Sequence, residues 1–324
     1  MVFFRNFYCV LMVCLWAASP IFSQKMNYGT HSGFHYGPNL SWSFSGNTPF
    51  VWGEWLPQAN ASLHYTWLEP LDCLKYGEKL ERNSAYWRMD GAVEIAPFYG
   101  GYLAGLGIRP FRSNLQVEFN ITYESYLYFK SNLEMVTADV EGEGRIAETW
   151  NADYIVDNVF GEDAKFDYAQ LVDINAVLSY SFPGGSILGI SSHYILSDVS
   201  TDYNGKSYDF KRNIPVFSRD FLVEFENFGS ISLNDNFEML YETTYYRTGY
   251  LRSEHTVQKE ALSYGKMMVG GHFSWNDGLQ NVTFEIGAWK RFKDRFYDGK
   301  LSQRFLMELN YEGFFSFPFQ KKGK

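Results

Sequence analysis

The chain has 324 residues, a net charge of −9 and an aromatic content of 19%, yet its mean hydropathy is only −0.27. The acidic balance argues against nucleic acid as a partner, because phosphate binding requires a basic face. Soluble cores rarely contain so many aromatic residues, whereas proteins that meet a lipid interface need them.

Residues 1–23 are predicted to be a secretory signal peptide. Arg5 supplies a short positive region, an apolar run follows to about residue 18, and small residues precede a cleavage site after Ser23. Two of the three cysteines, Cys9 and Cys14, leave with this segment, so Cys73 has no intramolecular disulfide partner. No apolar run of about 18 residues follows, so the sequence predicts no membrane-spanning helix. Residues 24–324 are interpreted as one domain.

Four strands are predicted in the N-terminal third, over 33–45, 60–68, 85–96 and 99–109. The last two are separated near Pro97, because this choice makes the termini and the connection lengths consistent. The fifth, over 113–129, alternates strictly between oily and polar residues. It has room for roughly 16 residues, against about 5–6 in an average strand.

Seven more strands are predicted over 168–182, 186–196, 216–227, 231–245, 263–275, 280–292 and 302–319. Their connections alternate in length. Tight turns are predicted at "PGG" (183–185), "NFGS" (227–230) and "NDG" (276–278). Long polar stretches cover 130–167, 197–215, 246–262 and 293–301. Short turns at one end and long loops at the other are typical of transmembrane barrels, and a soluble sandwich has no reason to sort its loops this way.

With its signal peptide, alternating strands and sorted loops, the mature chain resembles a Gram-negative outer-membrane β-barrel, porin-like or transport-like, of no specific subfamily. The resemblance implies an all-β, closed antiparallel transmembrane β-barrel of about 12 strands, with ten as the alternative, integral to the bacterial outer membrane. Outer-membrane lipid, lipopolysaccharide and the barrel-assembly machinery are then the expected partners. The terminal strand resembles the signal read by that machinery, although five residues follow its last Phe; the residues concerned are Tyr311, Phe315, Phe317 and Phe319.

The polar parities of the strands collect more acidic than basic residues. Because an acidic aqueous lumen attracts cations, the sequence predicts a small-solute channel with a weak cation preference. The residues assigned to the lumen are Glu118, Glu124, Asp173, Glu238, Glu285, Arg291 and Glu308. The alternative for these charges is a set of internal salt bridges that fill a narrow barrel.

Two further functions stay open. A non-conducting scaffold or adhesin would act through the extracellular loops. An outer-membrane phospholipase-like enzyme is a remote alternative, because His272 and Ser274 stand two residues apart on a strand. The pair lies at the periplasmic turn, Trp275 departs from that family's pattern, and no suitably spaced Asn follows. The chain is therefore predicted not to be an enzyme and to need no cofactor or metal.

Overall fold

The computed structural model describes residues 33–51, 54–55, 58–71, 75–96, 99–129, 166–199, 206–209, 214–217, 219–248, 262–293 and 303–315. The strands, in chain order, are β1 (Gly37–Val51), β2 (Glu54–Trp55), β3 (Gln58–Pro70), β4 (Tyr86–Ile95), β5 (Tyr99–Arg109), β6 (Leu115–Phe129), β7 (Phe166–Ser181), β8 (Ile187–Val199), β9 (Lys206–Asp209), β10 (Ile214–Phe217), β11 (Arg219–Asn234), β12 (Phe237–Thr248), β13 (Leu262–Trp275), β14 (Gln280–Lys293) and β15 (Gln303–Phe314). No helix among these residues is long and apolar enough to cross a membrane.

Twelve of the strands close into one antiparallel barrel. The order is β1-β3-β4-β5-β6-β7-β8-β11-β12-β13-β14-β15, and β15 pairs back onto β1 from Ser41↔Phe314 to Phe50↔Phe305. The short strand β2 pairs with the end of β1, and β9 and β10 form a separate hairpin. The predicted barrel of 12 strands is therefore confirmed, and the ten-strand alternative is wrong.

The burial pattern of the barrel wall is the reverse of that of a soluble protein, with apolar side chains exposed and polar side chains buried. Along β6, Leu115, Phe119, Ile121 and Leu127 are exposed, while the even-numbered residues from 116 to 126 are buried. The other strands repeat this alternation with polar side chains inside. In hydrocarbon every backbone group needs an internal partner, which closure provides, and lipid favours the apolar outer face. The long alternating strand predicted from the sequence is explained by these two requirements.

Two predicted tight turns are confirmed and the third is wrong. Gly184 and Gly185 turn between β7 and β8, and Asn276 and Asp277 adopt positive φ between β13 and β14. Residues 227–230, in contrast, lie inside β11, and the chain turns at 235–236 instead. There the Asn236 amide donates to Asn234 Oδ1 at 2.9 Å.

Gly229 serves packing and not a change of direction. It pairs with Tyr241 across β11 and β12, and the tyrosine ring occupies the space that a Cβ at Gly229 would fill. An aromatic ring that covers a strand glycine on a neighbouring strand is a known way to stabilise a curved sheet. A glycine in a polar "NFGS" sequence therefore has two explanations, and only the contact with Tyr241 separates them.

The two ends of the barrel differ, as the alternation of loops predicted, but the N-terminal third departs from that rule. We call the end with connections 110–114, 182–186, 235–236 and 276–279 the short-turn end, and the other the long-loop end. The long connection 71–85 nevertheless lies at the short-turn end, and the brief connections 52–57 and 96–98 lie at the long-loop end. Most of the predicted long loops lie outside the described residues.

Candidate functional site in the barrel lumen

The inward face of the barrel is rich in buried charge. Among the described residues, ten buried carboxylates accompany three buried cationic side chains, Arg88, Arg109 and Lys266. The carboxylates are Glu94, Glu118, Glu124, Asp173, Asp220, Glu224, Glu226, Glu238, Glu242 and Glu285. Buried charges are costly unless they are paired or hydrogen-bonded, so their contacts define what the lumen can do.

An arginine cluster lies near the short-turn end. Arg109, the last residue of β5, places Nη2 2.7 Å and Nε 3.2 Å from Glu118 Oε2. From β4, Arg88 Nη2 lies 3.5 Å from the other Glu118 oxygen and Nε 3.1 Å from Asp90. The hydroxyl of Tyr86 donates to Glu118 at 3.2 Å, and the Arg109 guanidinium lies 5.0 Å from the Tyr86 ring centre. Glu118 is thus held by two guanidinium groups.

Gly107 makes room for this cluster. A Cβ there would lie 2.7 Å from Arg88 Nε and would also strike Asn120 Oδ1, which accepts from Arg88 Nη2 at 2.9 Å. A glycine inside a strand often marks such a close approach. The "GLGIR" sequence that ends β5 therefore supplies both the space for one arginine and the next arginine itself.

A second cluster, centred on Lys266 of β13, lies farther into the barrel. Lys266 Nζ lies 2.8 Å from Glu242 Oε1 and 3.6 Å from Glu308 Oε1. Thr244 donates to the same Glu242 oxygen at 2.8 Å. Glu308 is the direct cross-strand partner of Glu285, so two acidic residues stand opposite each other on β14 and β15. Lys266 therefore contacts two acids on different strands, β12 and β15.

A third buried network runs from β7 to β11. Asp173 Oδ2 accepts from His193 Nδ1 at 3.0 Å, His193 Nε2 lies 3.2 Å from Ser191 Oγ, and Ser191 donates to Glu226 Oε2 at 2.9 Å. The distances match those of a Ser–His–Asp triad. The hydroxyl of Ser191 donates to Glu226, so this chain of contacts links β7, β8 and β11 across the wall.

Tyrosines surround the acids nearest the long-loop end. Tyr99 donates to Glu94 Oε1 at 3.0 Å, and Tyr126 donates to Glu124 Oε2 at 3.1 Å. Both rings are buried and meet edge to face with centres 5.4 Å apart. The hydroxyls satisfy the carboxylates while the rings narrow the lumen.

The lumen residues predicted from the sequence are distributed among these groups. Glu118 lies in the arginine cluster, Glu124 among the tyrosines, Asp173 in the histidine network, and Glu285 and Glu308 beside Lys266. Glu238 is buried near the short-turn end, where it contacts Arg82. The side chain of Arg291 lies outside the described residues. The structure therefore brings together Glu285 and Glu308 and keeps the others apart.

The predicted assembly residues are described only in part. Tyr311 lies on the outer face, with its ring centre 5.0 Å from that of Trp42 and 6.0 Å from that of Trp275. Phe315 is exposed, and Phe317 and Phe319 lie outside the described residues. The described aromatics form a belt at the short-turn end, where such rings meet the membrane interface.

Sequence reasoning missed several residues of the site, and four of them show two different reasons. Glu242 and Lys266 occupy the inward parity of strands that were predicted, so the alternation alone could have found them. Arg109 stands at a strand end beside a proline. Arg82 lies in a connection, where no periodicity indicates a direction. These last two required the fold.

The two residues of the phospholipase-like alternative both lie on β13. His272 Nδ1 lies 2.9 Å from Thr283 Oγ1, and Ser274 is buried beside the turn at 276–279. Among the described residues, no group of three or more His, Cys, Asp or Glu side chains is arranged to hold a metal ion.

A closed barrel with a polar lumen and an apolar outer face defines a transmembrane β-barrel of the outer-membrane type. No protein-family model matches the chain, and no curated protein matches it. Among solved structures, it is similar to an outer-membrane channel from Pseudomonas putida F1, at 10% identity and TM-score 0.49, over 89% of this chain and 98% of that one. The transport unit of the autotransporter AIDA-I from Escherichia coli matches at 10% identity and TM-score 0.41, over 96% and 97%. The translocator domain of NalP from Neisseria meningitidis matches at 12% and 0.38, over 86% and 88%.

Proposed function

We propose that this chain is an outer-membrane channel for small solutes whose lumen prefers cations. The observation that carries the proposal is the excess of buried carboxylates, ten against three buried cationic side chains among the described residues. If Arg291 and Arg304 also face inward, as their parity predicts, acids still outnumber bases. A lumen lined by one sign of charge raises the local concentration of the opposite ion.

The path through such a lumen must be narrow. Glu124 is 0% exposed and Glu118 is 1% exposed, because neighbouring side chains cover them. Barrels of this strand number lie between the filled eight-stranded barrels and the wide porins. The solutes expected to pass are therefore small, and they pass close to carboxylate oxygens.

The test is single-channel recording in planar bilayers under a salt gradient. Glu124→Gln with Glu285→Gln removes two acids that are 0% and 3% exposed, from two different regions of the lumen. This double variant should move a cation-preferring reversal potential toward zero. Glu118→Gln with Arg109→Met is the matched control, since it removes a carboxylate together with one guanidinium group that contacts it and leaves the net charge of the lumen unchanged, and it should move the potential much less.

Both variants must keep the mobility shift between heated and unheated gels that marks a folded barrel. An unchanged reversal potential in the folded variant with Glu124→Gln and Glu285→Gln would contradict the role assigned to these acids.

A second candidate is a closed barrel that acts through its long loops as a scaffold or adhesin. The near-complete burial of the inward side chains favours it, since a filled lumen leaves no route for solute. Absence of conductance in the folded parent protein would establish this candidate over the channel.

We also propose outer-membrane lipid, lipopolysaccharide and the barrel-assembly machinery as partners, on the basis of the outer face and the terminal aromatics. Deletion of 315–319 should leave the chain in the periplasm for degradation, whereas deletion of 320–324 should not. Fractionation of the two truncated proteins makes the comparison, and equal membrane levels would refute a role for the terminal aromatics.

A further inference from the structure

We infer that residues 75–85 form a strap that closes the short-turn mouth of the lumen, with Arg82 as its latch on Glu238. The strap belongs to the long connection between β3 and β4, which departs from the sorting of loops. The inference concerns regulation of the proposed channel and rests on that function for its effect on conductance. The position of the strap is supported by contacts that do not depend on the proposed function.

The base of the strap is fixed by an apolar cluster and by backbone pairing. Tyr36, Leu68, Leu80 and Tyr86 bury their side chains together, with Phe34 packed against them. The strap also pairs with the segment that precedes β1. The Tyr36 amide donates to Glu78 O at 3.0 Å, and the Leu80 amide donates to Phe34 O at 2.9 Å. Removal of a polar contact elsewhere would leave this base in place.

The tip of the strap crosses the mouth. Arg82 Nη2 contacts Glu238 Oε1 on β12, a strand six places from β4 in either direction around the twelve-stranded barrel. The carbonyl of Arg82 accepts from Arg109 Nη1 at 3.1 Å and from the Gln116 side chain. A Cβ at Gly185, in the turn between β7 and β8, would lie 3.7 Å from Arg82 Cζ. One residue thus touches the near wall, the adjacent turn and the opposite wall.

The latch is incomplete, which allows it to open. Arg82 Nη1 and Glu238 Oε2 are buried and have no hydrogen-bond partner among the described residues. The pair therefore lacks the two parallel bonds that make arginine–carboxylate pairs strong. A buried pair gains little net free energy once the desolvation of both charges is included. The closed position is therefore held by a contact that can break while the base stays packed.

The latch also places a guanidinium group at one end of an acidic lumen. In the closed position Arg82 obstructs the mouth and repels the cations that the carboxylates attract. Arg82→Ala should therefore raise both the conductance and the cation preference. Arg112→Ala is the matched control, because Arg112 also contacts the strap, through Glu81. This pair lies on the exposed rim, where the Arg112 side chain is 41% exposed and the Glu81 side chain is 55% exposed.

The decisive experiment joins the strap to the opposite wall. Arg82→Cys and Glu238→Cys are combined in a Cys73→Ser background, so that the native thiol does not compete. Both charges leave together, so no buried ion remains unpaired. A reducible bis-methanethiosulfonate reagent, with a spacer as long as the two side chains it replaces, is applied to the folded protein in lipid vesicles. Mass spectrometry then gives the yield of the intramolecular cross-link, with Arg112→Cys and Glu238→Cys as the control pair.

We expect a high yield for the Arg82 pair, a low yield for the control pair, and a several-fold fall in conductance that reductant reverses. Equal yields for the two pairs would overturn the position of the strap. A cross-link that leaves conductance unchanged would overturn its role in closure. If no protein in the set conducts, the proposed channel function fails, while the cross-linking yields still decide where the strap lies.

Discussion

The mouth and the centre of the lumen solve the burial of charge in different ways. At the short-turn mouth, Arg82, Arg88 and Arg109 contact the three carboxylates of Glu238, Asp90 and Glu118. In the centre, a single lysine lies between Glu242 and Glu308, and further acids line the same walls.

The mouth and the centre of the lumen therefore have different roles. Balanced charge at the mouth holds neighbouring strands and the strap together, and it produces little field beyond itself. Excess acid in the centre produces a negative potential, at the cost of repulsion between carboxylates that the barrel must tolerate. Proteins commonly accept such a local cost at functional sites. The centre is therefore where selectivity should be altered, and the mouth is where closure should be altered.

The largest effect on stability is expected from Lys266→Met. Loss of the ammonium group removes the cation that the buried Glu242 and the partly buried Glu308 share, which should cost about 3–5 kcal/mol. Arg109→Met should cost less, because Arg88 still faces Glu118. Urea unfolding in lipid vesicles, followed by tryptophan fluorescence, measures both.

Two companion variants guard against a simple failure to fold. Lys266→Arg keeps the charge and should stay close to the parent protein. Adding Glu242→Gln to Lys266→Met should recover part of the loss, since contacting sites are not additive. A cost for Arg109→Met equal to that of Lys266→Met would abolish the distinction between mouth and centre.

The next largest effect, a loss of membrane assembly, is expected from Ile121→Arg. This substitution tests whether the barrel tolerates cations only on its inner face. Ile121 lies near the middle of β6, on the outer face and 46% exposed. A cation at the bilayer midplane costs about 2–4 kcal/mol, falling to about 0–1 kcal/mol near the interface. Leu127→Arg, on the same face near the end of β6, should therefore assemble far better. Equal amounts of the two folded barrels in the membrane fraction would contradict the lipid-facing assignment.

The wall of the barrel could be predicted from the sequence because it depends on a local rule. Alternation with a period of two decides which side chains face lipid, and it assigned Glu118, Glu124 and Glu285 to the interior before any pairing was known. The turn chemistry of "NFGS" failed at Gly229, because a strand glycine that Tyr241 covers looks the same as a turn glycine.

The partners of the inward charges could not be predicted, because they depend on distances around the barrel. Nothing local to Arg82 indicates that it reaches Glu238, which is 156 residues away in sequence. Nor does the sequence of β6 reveal that Glu118 contacts two arginines, Arg88 of β4 and Arg109 of β5. Closure of the barrel brings these residues together, and closure is a property of all twelve strands.

The smallest effect is expected at the base of the strap. A fall in pH should weaken this base and leave the other contacts at the short-turn end of the barrel unchanged. Burial lowers the pKa of His35 from its usual 6.5, with Lys79 adding to the effect and the Gly33 carbonyl opposing it. Protonation is therefore more favourable once the base has opened. The contribution of His35 to the stability of the closed base is fully present above about pH 6.5 and is lost as pH falls below it. Hydrogen exchange in nanodiscs, corrected for intrinsic rates, should show lower protection of the Tyr36, Gly77 and Leu80 amides at pH 5.5 than at pH 7.5. The Ser274 amide, bonded to Asn236 O at 2.8 Å at the same end of the barrel, should keep its protection.

His35→Gln removes the titrating group, so a pH response that persists in this variant would show that another group controls the base.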